Sequence, residues 1–70
     1  MERQSVKSSN LKSIGYDAAD ETLEVEFKNG TVYHYYNVPH SIHESLMSAT
    51  SHGSYLNDHV KNRYKYRRIL

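Results

Sequence analysis

The clearest pattern in the chain is a strict alternation of apolar and acidic residues in the segment Leu23-Glu24-Val25-Glu26-Phe27. A strand that packs one face against a core and leaves the other in solvent has this period of two residues. The segment therefore predicts a half-buried β-strand whose acidic side chains share the outer face.

A β-hairpin is predicted directly after this strand. Asn29 and Gly30 tolerate positive φ angles, and the segment 31–36 that follows is rich in β-branched and aromatic residues. We therefore expect a second strand that pairs with the first.

The length of the turn decides which tyrosines are buried, because a shift of one residue moves every side chain to the other face. A two-residue turn pairs Phe27 with Val32 and leaves Tyr33 and Tyr35 outside. A three-residue turn with Gly30 in the left-handed conformation shifts this pairing by one residue and brings both tyrosines onto the core face. We favour the three-residue turn, because it buries two large rings in a chain that is short of apolar area.

The residues before the hairpin show a weaker pattern. Ile14 and Tyr16 share one face of a further predicted strand, while Leu11 is out of phase with them, which indicates either a bulge or a later start of the strand. Residues 1–8 are almost entirely polar, and we interpret them as a flexible N-terminal arm. The segment 9–70 then forms a single domain.

Two helices are predicted in the second half of the chain. Pro39 suits the first turn of a helix, and the apolar positions after it recur on one helical face as far as Ala49. Ser51 is suited to cap a second helix. The predicted fold class is α+β: a small antiparallel β-meander of three strands packed against two helices, in the order β-β-β-α-α. The segment 64–68 is a candidate for a short fourth strand.

Size and composition exclude several classes of protein. Seventy residues form one domain with a thin core, and the absence of cysteine excludes disulfides and thiolate metal sites. Mean hydropathy is −0.83, and no apolar run approaches the ~18 residues of a membrane span. The first residues lack the apolar stretch of a secretory signal, so we expect a cytoplasmic protein without membrane contact.

Neither catalysis nor a metal site is predicted. His40 and His43 lie three residues apart on the predicted first helix, but a zinc site needs three or four ligands. We interpret both as solvated surface residues. No serine lies in a nucleophile elbow, and a substrate pocket would take up most of the core. We therefore expect no enzymatic activity, no cofactor, no metal and no small-molecule substrate.

The C-terminal segment carries the strongest functional signal, because it interleaves basic residues with tyrosines. Cations neutralise phosphates and aromatic rings stack on bases, so this pattern is typical of nucleic-acid binding. The alternative is that the tyrosines pack in the fold while the basic side chains are solvated or balance the acidic strand. The candidate nucleic-acid-binding residues are Lys61, Arg63, Lys65, Tyr66, Arg67 and Arg68.

The start of the second helix is a further candidate, formed by Ser51, Gly53 and Ser54. The free N–H groups and the dipole of a helix N-terminus favour anions, and the hydroxyl groups add donors. A phosphate contact and a purely structural helix cap both fit this pattern.

Several short motifs, taken in order, resemble those of one family. The chain resembles the KTSC domain family over residues 8–66, and Tyr33 and Tyr35 match the central Tyr-x-Tyr motif of that family. The resemblance implies a domain that occurs as a C-terminal extension of some lysyl-tRNA synthetases and as a free-standing bacterial or phage protein. The resemblance implies no catalytic residue in this chain. The motifs are Ser8-Ser9-Asn10, Ile14-Gly15-Tyr16-Asp17, Leu23-x-Val25-x-Phe27-x-Asn29-Gly30, Tyr33-x-Tyr35, Val38-Pro39 and Ala49-x-Ser51-x-Gly53-x-Tyr55-x-Asn57.

The leading hypothesis is a non-catalytic domain that binds RNA, or another single-stranded nucleic acid, through the C-terminal segment. The resemblance supports RNA, because it implies an association with a tRNA synthetase. The alternative is a protein-interaction module that uses an exposed sheet edge and a patch of tyrosines. The response to salt separates the two hypotheses, because nucleic-acid binding weakens as salt rises.

Overall fold

Five antiparallel strands form one sheet, in which each strand neighbours the next one along the chain. The computed structural model describes residues 1–70, and both helices lie between the last two strands in the sequence. The predicted α+β class and order of elements are confirmed, with an additional strand at the N-terminus. The elements are β1 (Arg3–Ser5), β2 (Leu11–Asp17), β3 (Thr22–Phe27), β4 (Val32–Tyr35), α1 (His40–Ser48), α2 (His52–His59) and β5 (Tyr66–Arg68).

A three-residue turn joins β3 to β4. The N–H of Phe27 donates to the carbonyl oxygen of Thr31 at 2.9 Å, and the N–H of Gly30 donates to the carbonyl oxygen of Phe27 at 3.0 Å. Gly30 has a φ of 93°, which a residue without a Cβ adopts at little cost. The favoured register is confirmed, and it sets Val25 opposite Tyr33.

This register gives the two faces of the sheet different chemistry. On the inner face, Tyr35 lies opposite Leu23 and is only 3% exposed. The inner face packs against both helices, which contribute Leu46 and Leu56 to the core. His34 lies on the outer face, where it is half-buried among polar neighbours.

The core lies between the inner face of the sheet and the helices. Phe27 and Ile42, which the strand alternation and the helical spacing place toward the core, are only partly buried at its margin. The core is therefore thin at the turn end of the sheet. Its members are Leu11, Ile14, Leu23, Val25, Tyr35, Val38, Leu46, Leu56 and Val60.

A bulge in β2 accounts for the irregular phase of its apolar residues. Leu11 lies opposite Phe27 while Ser13 lies opposite Glu26, so Lys12 is the extra residue. The bulge returns Leu11 to the inner face, where it is fully buried. Of the two options that the sequence left open, the bulge is confirmed.

Part of the segment that we interpreted as a flexible arm forms the edge strand β1. Arg3 lies opposite Gly15, and its guanidinium lies 3.3 Å from a carboxylate oxygen of Glu24 and 3.8 Å from one of Glu26. Gly15 permits this approach, because a Cβ there would lie 2.7 Å from the carbonyl oxygen of Glu2. The strand is attached by backbone pairing and ion pairs, so a search for apolar periodicity does not find it.

The short C-terminal strand that the sequence left open is present as β5, at the opposite edge of the sheet from β1. Tyr66 lies opposite Tyr35, and Arg68 lies opposite Tyr33. Arg67 is therefore on the outer face, because successive residues of a strand alternate between faces. Neither helix has the length and the apolar character needed to cross a membrane.

The register predicts stability losses of different size for two adjacent tyrosines. Tyr35→Ala should lower the free energy of unfolding by about 3–5 kcal/mol, because it leaves a cavity where a buried ring packs. Tyr36→Ala, on the other face, should lower it by about 1 kcal/mol or less. Urea unfolding followed by circular dichroism measures both values, and a larger loss for Tyr36→Ala would contradict the register.

Candidate functional site

The inner face of the sheet is open at the end nearest the β3–β4 turn, where it forms a cleft of about 360 Å³. The chain between α2 and β5 forms one wall of this cleft, and the strands form the floor. Aromatic rings and amides dominate its surface. The aromatic cleft is lined by Phe27, Asn29, Thr31, Tyr33, Tyr35, Lys61, Asn62 and Tyr66.

Strand pairing brings the tyrosines of the aromatic cleft together. Because Tyr35 lies opposite Tyr66 and Tyr33 lies two residues earlier on the same strand, all three rings share the inner face. The ring centroid of Tyr66 lies 5.9 Å from each of the other two, and those of Tyr33 and Tyr35 are 6.4 Å apart. The Tyr-x-Tyr motif and the C-terminal segment therefore form one surface.

The three tyrosines differ in how much of each ring is accessible. Burial, and to a lesser degree the neighbouring Tyr33 and Tyr66, raises the pKa of Tyr35 to about 12. Tyr35 is thus a neutral floor residue, and Tyr33 is half-buried. Tyr66 is 60% exposed, so it is the ring that a ligand meets first.

Lys61 is fixed at the wall of the cleft by a cation–π contact. Its ammonium nitrogen lies 5.4 Å from the ring centroid of Phe27, within the range in which the ring attracts a cation. The edge of Phe27 in turn packs against Tyr33, with ring centroids 5.7 Å apart and planes at 88°. A cation is therefore held beside the aromatic surface without an acidic partner.

The structure separates the predicted basic residues into two groups. Lys61 and Tyr66 line the aromatic cleft, and Arg63 and Lys65 line a shallow groove that continues from it. Arg68 shares the inner face with Tyr66, as the alternation along β5 requires. Arg67 is on the outer face, opposite His34. Lys65 pairs with Tyr36, whose N–H donates to its carbonyl oxygen at 2.8 Å, so the alternation puts Lys65 on the same outer side as Arg67. We call the side that carries Lys61, Arg63, Tyr66 and Arg68 the cleft face.

The acidic strand is neutralised by other parts of the molecule. Glu24 contacts Arg3 at 3.3 Å and His34 at 2.7 Å, while Glu26 accepts a hydrogen bond from Ser13 at 2.8 Å and lies 3.9 Å from Lys12. None of the salt bridges involves a basic residue of the C-terminal segment. The structure therefore does not show the alternative in which basic side chains of this segment pair with the carboxylates of the acidic strand.

The start of α2 has a structural role. Ser51 is the N-cap residue, and its hydroxyl oxygen accepts a hydrogen bond from the N–H of Ser54 at 3.2 Å. Gly53 faces the turn before β2, since a Cβ there would lie 2.5 Å from the side-chain oxygen of Asn10. These contacts explain why a serine and a glycine occupy positions 51 and 53. An anion contact at the start of α2 stays a prediction.

One of the two helix histidines is not the solvated residue that we expected. The ring of His43 stacks on Tyr16, with centroids 4.6 Å apart and planes at 8°, and its Nδ1 is buried without a hydrogen-bond partner. Burial, and to a lesser degree the nearby His40, lowers the pKa of His43. No three histidine, aspartate or glutamate side chains lie close enough to hold a metal ion.

Comparison with known proteins identifies the family. The model of the KTSC domain matches residues 7–64. The chain belongs to the KTSC domain family. The crystal structure of a KTSC domain protein from Yersinia pestis superposes on it with a TM-score of 0.93 at 38% identity, covering 99% of this chain and 97% of that one.

KTSC domains occur alone and within larger chains. A protein of Stutzerimonas stutzeri strain A1501 that bears the name uncharacterized protein is 41% identical over 99% of both chains. A lysine–tRNA ligase of Nostoc punctiforme is 35% identical over 63 residues, which are 90% of this chain and 11% of the ligase. This KTSC domain therefore corresponds to a small part of that ligase.

Half of the cleft residues were not predicted from the sequence. Phe27, Asn29 and Thr31 are far from the basic segment in sequence, and Asn62, although it lies within that segment, is neither basic nor aromatic. The alternation of tyrosine and basic residues in the segment 64–68 indicates a strand, and this is the signal that could have revealed the rest of the cleft. Pairing that segment with β4 brings the turn of the hairpin beside it.

The lowered pKa of His43 predicts that this KTSC domain loses stability in acid. A histidine whose folded-state pKa lies below its unfolded value contributes stability that is present above the unfolded pKa, about 6.5, and is lost as pH falls. His43→Phe keeps a ring against Tyr16 but cannot titrate. Its free energy of unfolding, measured in urea from about pH 8 to about pH 5, should therefore fall less than that of the wild type. Identical pH profiles would contradict this role for His43.

Proposed function

We propose that this KTSC domain binds single-stranded RNA on its cleft face. The observation that carries the proposal is the juxtaposition of the aromatic cleft with basic side chains that have no acidic partner in the fold. Rings give bases a stacking surface, and free cations neutralise phosphates.

The distribution of charge supports binding on this side of the sheet. Glu24 and Glu26 point to the outer face, where Arg3 and Lys12 neutralise them. A phosphate backbone on the cleft face is therefore separated from these carboxylates by the sheet itself. The basic residues on the cleft face are Lys61, Arg63 and Arg68.

The relatives supply a second line of support. A lysine–tRNA ligase contains a similar domain as about 11% of its length, and the name of that enzyme includes an RNA. Three basic residues and one exposed ring suffice for weak binding only. In a longer chain, tethering raises the local concentration of RNA, so weak contacts contribute to affinity.

A protein partner is the second candidate, favoured by one observation. The strand β5 is a sheet edge, and three of the four exposed large hydrophobic residues of the chain lie in it or directly after it: Tyr66 is 60% exposed, Ile69 47% and Leu70 72%. An extended segment of another protein pairs with such an edge through main-chain hydrogen bonds. Binding of this kind depends little on salt.

Adjacent arginines on opposite faces of β5 provide a matched test. Arg68→Glu should weaken binding of a fluorescein-labelled single-stranded RNA more than Arg67→Glu, because only Arg68 is on the cleft face. Fluorescence anisotropy at two salt concentrations measures both affinities and the salt dependence. With about 0.7 per phosphate contact and three basic residues on the cleft face, log affinity should fall with log salt with a slope no steeper than about −2.

Two results would count against the proposal. No binding at low salt would remove RNA as the ligand and favour the protein partner. Equal losses for Arg67→Glu and Arg68→Glu would show that charge acts from both faces and that the cleft face is not the binding surface. Circular dichroism of both variants controls for unfolding.

A further inference from the structure

The aromatic cleft has the dimensions and the free surface of a site for one base. We infer that the cleft holds a single unpaired base of the RNA, while the rest of the strand is bound through its phosphates alone. This inference rests on the proposed function and adds to it the number of bases that the domain contacts.

The count of free ring faces limits the number of stacked bases. Lys61 covers one face of Phe27, with its ammonium 5.4 Å from the ring centroid. Tyr35 is 3% exposed, and its ring and that of Tyr33 lie nearly parallel, at 24°. Only Tyr66 is exposed over more than half of its surface, and stacking requires an accessible ring face.

The volume of the cleft agrees with this count. At about 360 Å³ it lies at the small end of the range of ligand pockets, ~300–1,000 Å³. The groove that continues from it past Arg63 and Lys65 contains Tyr64, but that ring is half-buried against the core. Further bases along this groove meet cations rather than an exposed ring.

The polar groups of the cleft also suit the edge of one base. The side-chain oxygen of Asn29 accepts hydrogen bonds from the N–H and the hydroxyl of Thr31, at 3.1 and 2.7 Å, which leaves its amide NH₂ to donate outward. The side chain of Asn62 makes no hydrogen bond in the fold, so its amide offers both a donor and an acceptor. Asparagine amides of this kind pair with base edges.

Abasic oligonucleotides separate base contacts from phosphate contacts. The probes are three ribose-phosphate pentamers of equal charge: one with a base at every position, one with a single central adenine and four abasic positions, and one fully abasic. The single-base pentamer should bind as tightly as the full pentamer, apart from the statistical advantage of five interchangeable bases. The abasic pentamer should bind about 5- to 150-fold more weakly than the single-base pentamer, the contribution of one stacked base.

Variants of Tyr66 assign the base contact to the cleft. Tyr66→Ala should abolish the difference between the single-base and abasic pentamers and leave the abasic affinity unchanged, because the phosphate contacts remain. Tyr66→Phe keeps the ring and should retain the difference. Tyr36→Ala, which removes a ring from the outer face, should also retain it.

The outcomes distinguish this inference from the proposed function. Affinity that rises with each added base would overturn the single-base site while leaving RNA binding in place. Equal binding of the abasic and single-base pentamers would show that no base is held, and would also overturn it. Failure of all three pentamers and of longer RNA to bind would instead remove the proposed function itself.

Discussion

The three-residue turn at Gly30 is the constraint on which the rest of the molecule depends. Its left-handed backbone sets Phe27 against Thr31, and the pairing of every other residue in the hairpin follows. A turn one residue shorter would exchange the faces of β4, placing His34 toward the helices and the ring of Tyr35 among carboxylates. The core and the aromatic cleft both exist because a glycine occupies this position.

The same register separates the charges of a chain whose net charge is only +1. The carboxylates of β3 lie on the outer face, within reach of Arg3, Lys12 and His34. The basic groups of the C-terminal segment, apart from Lys65 and Arg67, lie on the other side beside exposed aromatic surface. The single sheet thus separates the acidic groups from the basic groups of the cleft face, although both belong to a chain of only 70 residues.

The predictable part of the structure is the part that apolar periodicity encodes. The alternation around Val25 and the Asn29-Gly30 pair predicted the hairpin, and the need to bury two tyrosine rings favoured its register. Helical spacing predicted the first helix, and Ser51 marked the start of the second. The strand β1 has no apolar residue and is attached by Arg3, so no periodicity marked it. Of the candidate cleft, Lys61, Tyr66 and the Tyr-x-Tyr motif were named from the sequence, but not as one surface, because only the pairing of β4 with β5 brings them together.

The strand order has a practical consequence for anyone who handles the protein. The chain starts at the β1 edge and ends at the β5 edge, roughly four strand spacings of ~4.8 Å away. An affinity tag or a surface linkage placed before Met1 is therefore remote from the aromatic cleft. One attached after Leu70 begins beside Val32, at the end of the sheet that carries the aromatic cleft, where it competes with whatever the cleft contacts.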